Sequence, residues 1–317
     1  MQFALATLGA LIQLAAAVSS PPSGSITVGP SGSGAKYTSL TSALADTSSN
    51  VIFVYNGTYT GQTLISRSDI TIYGQSSNGQ AYSSNTVTFT NSRSASDAGS
   101  NDASGTIRVA SGANNVKLYN LNIANTYGTT SNHVQAIALS VQSTGNFAAY
   151  AVQLKAIQDT LLANQGKQFY GKSYIEGSTD FIFGQRSSVW IYKSTINTVG
   201  SGYITASGRE SDDANYYVID HSTIQGTGSV YLGRPWRNYA RVIFQQSTLG
   251  SNIVTAGWSI WNSGDERTDH ITFGEYNNTG SGAWKSGRAS FATNLSSAVS
   301  ITTVLGSTSW IDSAYLS

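Results

Sequence analysis

The sequence predicts an all-β fold, specifically a single-domain parallel β-helix, on the strength of its composition and its repeats. Of the 317 residues, 40% are hydrophobic and 10% are charged, so the chain can bury a large core. Glycine, serine, threonine and asparagine are abundant beside β-branched and aromatic residues, and no window keeps the apolar spacing of an amphipathic helix. Short strands joined by polar turns are therefore expected throughout.

Two series of strand-like segments alternate along the middle of the chain. The first consists of "VKLYNLNI" at 116, "YAVQLKAI" at 150, "SVWIYKSTI" at 188, "YYVIDHSTI" at 216 and "RVIFQQSTL" at 241. The second consists of "QAIALSV" at 135, "DTLLAN" at 159, "DFIFGQ" at 180, "GYITASG" at 202 and "VYLGRPW" at 230. Strand families that recur at intervals of roughly 20 to 35 residues, with no helix between them, indicate stacked coils of a β-helix.

The ends and sequons of the chain predict a secreted, extracellular protein. Residues 1–20, "MQFALATLGALIQLAAAVSS", are apolar and end in small residues, as in a signal peptide, which leaves 21–317 as the β-helix domain. No later segment is apolar for long enough to span a membrane. Asn56, Asn277 and Asn294 each begin an N-glycosylation tripeptide.

Charge and residue counts argue against several classes of function. A formal net charge of +1 provides no basic face for nucleic acid. Three scattered histidines and no cysteine make a zinc site improbable, and the acidic stretches 210–213 and 264–269 are expected to be solvated loops rather than calcium sites. The neighbours His221 and Ser222 would point to opposite faces of a strand, which disfavours a serine triad. No metal or other cofactor is expected.

Two aspartates open consecutive strands of the second series. Asp159 and Asp180 are 180 − 159 = 21 residues apart, which suits one coil, and equivalent residues on adjacent parallel strands lie about 4.8 Å apart. Like charges at this range push one pKa up, which would give one acid and one nucleophile or base. The alternative is that both are turn residues that accept bonds from nearby backbone N–H groups.

Neighbouring glutamines bear on which bond such a pair would cleave. Two carboxyl groups about 5 Å apart also describe a retaining glycosidase. Gln158 precedes Asp159, and Gln135 begins the preceding strand of the series. Side-chain amides can stabilise the oxyanion of an acyl-transfer intermediate, a charge that glycoside cleavage does not develop. This favours acyl transfer weakly, because glutamine is also an ordinary ladder residue in a β-helix.

Several blocks together resemble the signature segments of pectin methylesterases, and the fungal members most closely. These blocks are "QDTLL" at 158, "SYIEGSTDFIFGQ" at 173 and "YLGRPW" at 231, with "GTY" at 57, "YNLNIANT" at 119, "QAIAL" at 135, "YARVIFQQSTLG" at 239 and "FGEYNNTG" at 273. The resemblance runs from about residue 25 to the C-terminus. It implies a right-handed parallel β-helix and a cofactor-free hydrolysis of the methyl esters of pectin.

The resemblance also implies roles for individual residues. Asp180 would be the nucleophile, Asp159 the proton donor and then acceptor, and Gln158 and Gln135 the oxyanion stabilisers. Arg234 would hold Asp180 ionised through a charge-assisted hydrogen bond. The residues expected to line the sugar cleft are Trp236, Phe183, Trp258 and Thr106, although strict strand alternation from Asp180 would send Phe183 into the core.

The sequence differs from the family pattern at three features, none of which is one of these residues. The Gly-x-Tyr-x-Glu block ends in Gly61 instead of Glu, Val134 separates His133 from Gln135, and the cysteine pair of some fungal relatives is missing. Two alternatives remain open: a β-helical glycoside hydrolase or lyase that cuts the same polymer, and a non-catalytic β-helix that binds pectin through its tryptophans. A monomer without nucleic-acid or membrane partners is expected.

Overall fold

The computed structural model describes residues 18–317, so the predicted signal peptide lies outside the described residues except for its last three positions. The described chain contains four short helices and 24 strands. The helices are α1 (Leu40–Ala45), α2 (Ala95–Ala98), α3 (Asn101–Ser104) and α4 (Ile301–Leu305), with 3-10 turns at Tyr82–Ser84 and Ser313–Tyr315. The strands are β1 (Ile26–Val28), β2 (Val51–Val54), β3 (Gly57–Thr60), β4 (Thr63–Ile65), β5 (Thr71–Gly74), β6 (Val87–Asn91), β7 (Ile107–Val109), β8 (Val116–Tyr119), β9 (Leu121–Asn125), β10 (Leu139–Val141), β11 (Asn146–Tyr150), β12 (Gln153–Lys155), β13 (Leu161–Ala163), β14 (Gln165–Gly171), β15 (Tyr174–Gly184), β16 (Arg186–Tyr192), β17 (Thr195–Ser207), β18 (Tyr217–Asp220), β19 (Thr223–Thr227), β20 (Val230–Pro235), β21 (Arg241–Gln245), β22 (Thr248–Leu249), β23 (Thr272–Tyr276) and β24 (Ala292–Asn294).

The strands form three parallel stacks that wrap one interior. The first stack has the order β1-β2-β5-β8-β11-β14-β16-β18-β21-β23-β24. The second runs β3-β6-β9-β12-β15-β17-β19-β22 and the third runs β4-β7-β10-β13-β15-β17-β20, with the long strands β15 and β17 taking part in both. From β2 to β23, consecutive strands in the chain belong to different stacks, so each turn of the chain adds one coil. The predicted parallel β-helix is confirmed, and its two sequence series correspond to strands of successive coils.

The core consists of columns of apolar side chains that repeat from coil to coil. In the first stack one column follows the strand register through eight coils, and all of its members are buried. Its members are Ile52, Ile72, Leu118, Ala149, Tyr170, Ile191, Ile219 and Phe244. Parallel strands buried on the inner face need such apolar positions at every second residue, which explains the repeated pattern in the sequence.

The turn between the first and second stacks uses the same backbone conformation in coil after coil. Seven non-glycine residues there have a positive φ, between 47° and 53°. They are Asn120, Ala151, Lys172, Lys193, His221, Gln246 and Asn277. For a residue with a Cβ this conformation costs roughly 1–2 kcal/mol. The N–H groups of Ala151, Lys172 and Lys193 donate to carbonyls of the next coil at 2.9–3.1 Å, which holds the turn in place.

A ladder of buried serines follows these turn residues. In each step the backbone N–H of one serine donates to the Oγ of the serine on the next coil, at 3.0–3.1 Å. The donor and acceptor pairs are Ser173 to Ser194, Ser194 to Ser222, and Ser222 to Ser247. Ser247 in turn donates its N–H to the Oδ1 of Asn278 at 3.0 Å. The recurring "KSTI", "HSTI" and "QSTL" segments therefore specify hydrogen bonds between coils.

Helix α1 covers one end of the β-helix, and the C-terminal segment covers part of its outer face. Helix α1 buries Leu40, Ala43 and Leu44 against the first coil. At the other end of the chain, Leu305 and Tyr315 pack on the outer face of the first stack. No helix within residues 18–317 is both long enough and apolar enough to cross a membrane.

We expect Ser194→Ala to lower the free energy of unfolding by about 1–3 kcal/mol, because it leaves the buried N–H of Ser173 without its acceptor. Urea unfolding followed by circular dichroism measures the change. Ser92→Ala, at an exposed position outside the ladder, is the matched control. Equal stability of the two variants would contradict a role for the ladder.

Candidate active site

The strand register brings the two aspartates to equivalent positions on neighbouring coils. Leu161 of β13 pairs with Ile182 of β15, and Gln158 bridges to Thr179 just before them. Asp159 and Asp180 therefore lie one strand spacing apart, about 4.8 Å along the sheet. The predicted 21-residue coil and the adjacency of the carboxylates are confirmed.

A break in strand alternation turns both carboxylates outward. Asp159 and Asp180 adopt left-handed conformations, with φ of 65° and 51°, and the pairing of β15 with β17 is irregular between Thr179 and Ile182. After this break two consecutive residues, Phe181 and Ile182, face the core, and Phe183 faces outward beside the site. Strict alternation would have placed Phe183 inside, so that expectation was wrong.

Arg234 of β20 binds Asp180 with both arms of its guanidinium. Its Nε donates to Oδ1 at 2.9 Å and its Nη2 donates to Oδ2 at 2.6 Å. The guanidinium lies between the rings of Tyr203 and Trp261, 4.1 and 4.2 Å from their centroids. The guanidinium is held between the two rings, and its bidentate hydrogen bond fixes the position of Asp180 and stabilises the negative charge of that carboxylate.

The two carboxyl groups differ in their electrostatic surroundings. Burial raises the pKa of Asp159 well above its ordinary value, and the charge of Asp180 raises it further, against the opposing effects of the Gln135 amide and Arg234. Burial also raises the pKa of Asp180, but the bonds and charge of Arg234 oppose that rise directly. The pair therefore favours a protonated Asp159 beside an ionised Asp180.

Three amide side chains surround the aspartates. Gln135 and Gln158 are bridged neighbours on successive coils, the first exposed and the second half-buried. Asn101, in the first turn of α3, donates its Nδ2 hydrogen to Asp159 Oδ2 at 3.3 Å. The site thus combines one acid, one carboxylate and several N–H donors, which is the equipment for attack on an acyl carbon and stabilisation of its oxyanion.

An open groove of about 560 Å³ extends from the site along the third stack. Trp236 and Phe183 line it, with their ring centroids 6.1 Å apart, and Asn101 lines it as well. A Cβ at Gly208 would collide with the Trp236 ring, so a residue without a side chain is needed beneath it. The groove suits a long ligand whose flat faces rest on aromatic rings.

Two of the residues predicted to line the cleft do not do so. Thr106 is fully buried and its hydroxyl donates to the carbonyl of Ala124 at 2.9 Å. Trp258 is 1% exposed, stacks on Phe273 with centroids 4.4 Å apart, and donates its Nε1 hydrogen to Glu275. Both side chains belong to the interior and are therefore out of reach of a ligand in the groove.

Comparison with known proteins identifies the family. The pectinesterase family model matches residues 25–307. The chain belongs to the pectinesterase family. A pectinesterase of Aspergillus aculeatus is 42% identical over 329 aligned residues, which cover 97% of each chain. A pectinesterase of Aspergillus niger is 37% identical and covers 98% of this chain and 97% of its own.

Solved structures of related enzymes share the fold. The deglycosylated pectin methylesterase of Aspergillus niger superposes with a TM-score of 0.83 at 39% identity, and covers 93% of this chain and 97% of its own. Pectin methylesterase from carrot superposes with a TM-score of 0.81 at 27% identity. As a pectinesterase, this chain is a carboxylic ester hydrolase that removes the methyl esters of pectin.

Three residues of this pectinesterase site are not predicted from the sequence. Trp261, and not Trp258 three residues earlier, is the tryptophan that reaches the aspartates through Arg234. Tyr203 lies in a predicted strand, where an aromatic residue is ordinary, and its contact with Arg234 appears only in the structure. Asn101 follows Ser100, which caps α3 by accepting the N–H of Ala103, and this helix-start signal could have marked the segment.

We expect Asp159→Asn to unfold at higher urea concentration than wild type near neutral pH. The raised pKa means that the folded carboxyl keeps a proton which the unfolded chain releases around its ordinary value of about 3.9. Its contribution to stability is full below that pH and is lost as pH rises through the folded pKa. Asparagine does not titrate, so the variant avoids this loss of stability as pH rises.

The gain in stability should therefore shrink towards zero when unfolding is measured below pH of about 4. Asp97→Asn, at an exposed position in α2, is the matched control and should show no such pattern. A gain of the same size at every pH would point to packing instead of the titration of Asp159.

Proposed function

We propose that this pectinesterase acts through a covalent intermediate on Asp180. The observation that carries the proposal is the bidentate bond from Arg234, which supports an ionised Asp180 directly beside a protonated Asp159. A carboxylate oxygen of Asp180 attacks the C6 carbonyl carbon of a methyl-esterified galacturonosyl unit, and the carbonyl electrons move onto its oxygen. The amides of Gln158 and Gln135 stabilise that oxyanion.

Asp159 then moves protons in both halves of the reaction. As the oxyanion collapses, the bond to the methoxy group breaks and Asp159 donates its proton to the departing methanol. The resulting carboxylate removes a proton from a water molecule, which attacks the acyl carbon and expels Asp180. The product carboxylic acid is released with Asp180 ionised and Asp159 protonated again, and it then loses its proton to solvent as galacturonate. No step needs a metal ion.

The substrate cleft proposed here runs over Trp236 and Phe183. Phe183 is 3% exposed and forms part of the floor, while the half-buried Trp236 offers more surface to a sugar. The same arrangement of aromatic residues would suit a β-helical enzyme that cuts the polymer, or a protein that binds it without reaction. Product analysis separates these cases, because an esterase yields methanol and leaves the chain length unchanged.

Secretion and glycosylation are also proposed. The apolar residues 1–20 support export with cleavage before the β-helix domain at 21–317. Asn56, Asn277 and Asn294 are all exposed, and their accessibility supports N-glycosylation. Coverage of the first coil by α1 supports a monomer, because it closes that end of the core to a second copy.

We expect Asp180→Asn to reduce methanol release from highly methylesterified pectin by at least about 10³-fold, because the amide cannot act as the nucleophile. The assay contains a chelator, in which the wild type should keep full activity. Asp97→Asn is the control for loss of one carboxylate. A folded Asp180→Asn protein that still releases methanol would assign the nucleophile elsewhere.

We expect Gln158→Ala to lower kcat on the order of 10²-fold, with little change in KM, if its amide stabilises the oxyanion. Gln153→Ala is the control: Gln153 lies on the second stack, and its side-chain amide donates to the carbonyl of Tyr82. An unchanged kcat would make Gln158 a structural ladder residue.

We expect Arg234→Lys to move the acidic limb of the kcat/KM profile to higher pH by about one unit. Lysine keeps a positive charge but lacks the two-pronged bond that opposes the rise in the pKa of Asp180. Arg237→Lys is the control, since Arg237 is exposed and lies 3.8 Å from Glu210. If the acidic limb of the kcat/KM profile stays at the same pH in Arg234→Lys, the ionisation of Asp180 does not determine that limb.

A further inference from the structure

The groove beside the aspartates follows one row of residues across the third stack. Seven residues are paired in register along this row and end with the arginine that binds Asp180. They are Leu64, Arg108, Ser140, Leu162, Phe183, Ala206 and Arg234. Arg108 lies three strands from Phe183, roughly 14 Å along the groove. A polymer that lies over Phe183 therefore reaches Arg108 within a few sugar units.

Arg108 is held in the groove with much of its hydrogen-bonding capacity unused. Its Nη2 donates to one oxygen of Asp102, and the other oxygen of Asp102 accepts the hydroxyl of Ser140 at 2.7 Å. The buried Nε of Arg108 has no partner among the described residues, and the side chain is 28% exposed. The guanidinium is thus held by a single carboxylate oxygen, and its Nη groups, unlike the buried Nε, keep N–H bonds for a ligand.

The rest of this groove suits a sugar chain and contributes no other positive charge. Gln142, Asn164 and Gln185 form a row of amides along it, with Asn164 Nδ2 donating to Gln142 Oε1 at 2.7 Å. Of the described residues that line the groove, Asp102 and Arg108 are the two that ionise. An anion in this groove would therefore bind at Arg108.

The reaction itself generates such an anion on the polymer. Each hydrolysed ester converts a neutral galacturonate methyl ester into a carboxylate, which remains attached to the chain. We infer that Arg108 is a specificity-determining residue that binds the free C6 carboxylate of a galacturonate a few units from the reacting ester. This inference rests on the proposed function, because it assumes that the polymer lies across the aspartates and along the groove.

The consequence is a preference for partly de-esterified chains. A chain whose units are already acidic on the α3 side of the aspartates gains a charge-assisted bond at Arg108 that a fully esterified chain lacks. Asp102 limits this gain by neutralising part of the charge of Arg108. The enzyme would therefore act next to existing acid units more readily than in fully esterified stretches, and would also be inhibited by its acidic product.

Titration of the protein with hexagalacturonate tests the inference directly. This oligomer carries no ester, so its binding to the wild-type protein can be measured by calorimetry without turnover. We expect Arg108→Gln to raise its Kd about tenfold, and Arg108→Lys to raise it less. Arg186→Gln is the matched control for loss of one positive charge: its side chain is 65% exposed, outside the groove, and we expect a Kd within about twofold of wild type.

A second variant keeps the test decisive if Arg108→Gln fails to fold. Asp102→Asn removes the charge that neutralises Arg108, so it should lower the Kd for hexagalacturonate and strengthen product inhibition. Equal Kd values for wild type and a folded Arg108→Gln protein would overturn the inference, as would weaker binding in Asp102→Asn.

Methanol release separates this inference from the proposed mechanism. If Arg108 acts as inferred, the ratio of kcat/KM on partly de-esterified pectin to kcat/KM on fully esterified pectin falls in Arg108→Gln and stays constant in Arg186→Gln. A fall of equal size on both substrates would overturn the inference. Failure of the mechanism would instead show as methanol release by Asp180→Asn, which the binding titration does not depend on.

Discussion

The parallel register between coils is the constraint on which the site depends. Leu161 pairs with Ile182, and this single pairing fixes the carboxylates of Asp159 and Asp180 one strand apart. The same register aligns the core columns and the serine ladder. A shift of the strand register by one residue would therefore expose core side chains and, at the same time, move the two aspartates apart. The chemistry is therefore held in place by the interactions that hold the fold, and the absence of cysteine in the sequence leaves that work to packing and hydrogen bonds.

Two identical side chains acquire different electrostatic properties through their neighbours. Both aspartates are almost fully buried and both have left-handed backbones, so burial alone would raise the pKa of each. Arg234 breaks this symmetry because its fork reaches Asp180 alone. The cost of burying a carboxylate is offset by Arg234 at Asp180, whereas at Asp159 burial raises the pKa, and this difference is what the proposed nucleophile and the proposed acid require.

Burial also decides which aromatic residues can meet a substrate. The backbone of Trp258 forms a parallel bridge with Gly233, and its side chain fills the core. Trp261, three residues further along, places its ring against the guanidinium of Arg234 instead. Phe183 and Trp236 form a small apolar cluster with Ile137, Leu162 and Ala206 that is separate from the main core. Phe183, which the break at Asp180 turns outward, therefore forms the floor of the groove together with Leu162 and Trp236.

The sequence by itself determined the coil repeat, the spacing of the two aspartates and the family. These features are local or periodic, and they can be recognised because apolar positions must recur at the same place in each coil. The sequence blocks also pointed to Arg234, 54 residues after Asp180, although composition alone gave it no role.

Only the tertiary structure decided which side chains face the groove. The left-handed conformations at Asp159 and Asp180 interrupt strand alternation, so the direction of Phe183 could not be counted from the strand. Thr106 and Trp258 looked available for sugar binding but are buried, while Asn101, Trp261 and Arg108 come from segments distant in sequence. Their positions result from how loops and coils pack together, and a linear pattern does not encode that packing.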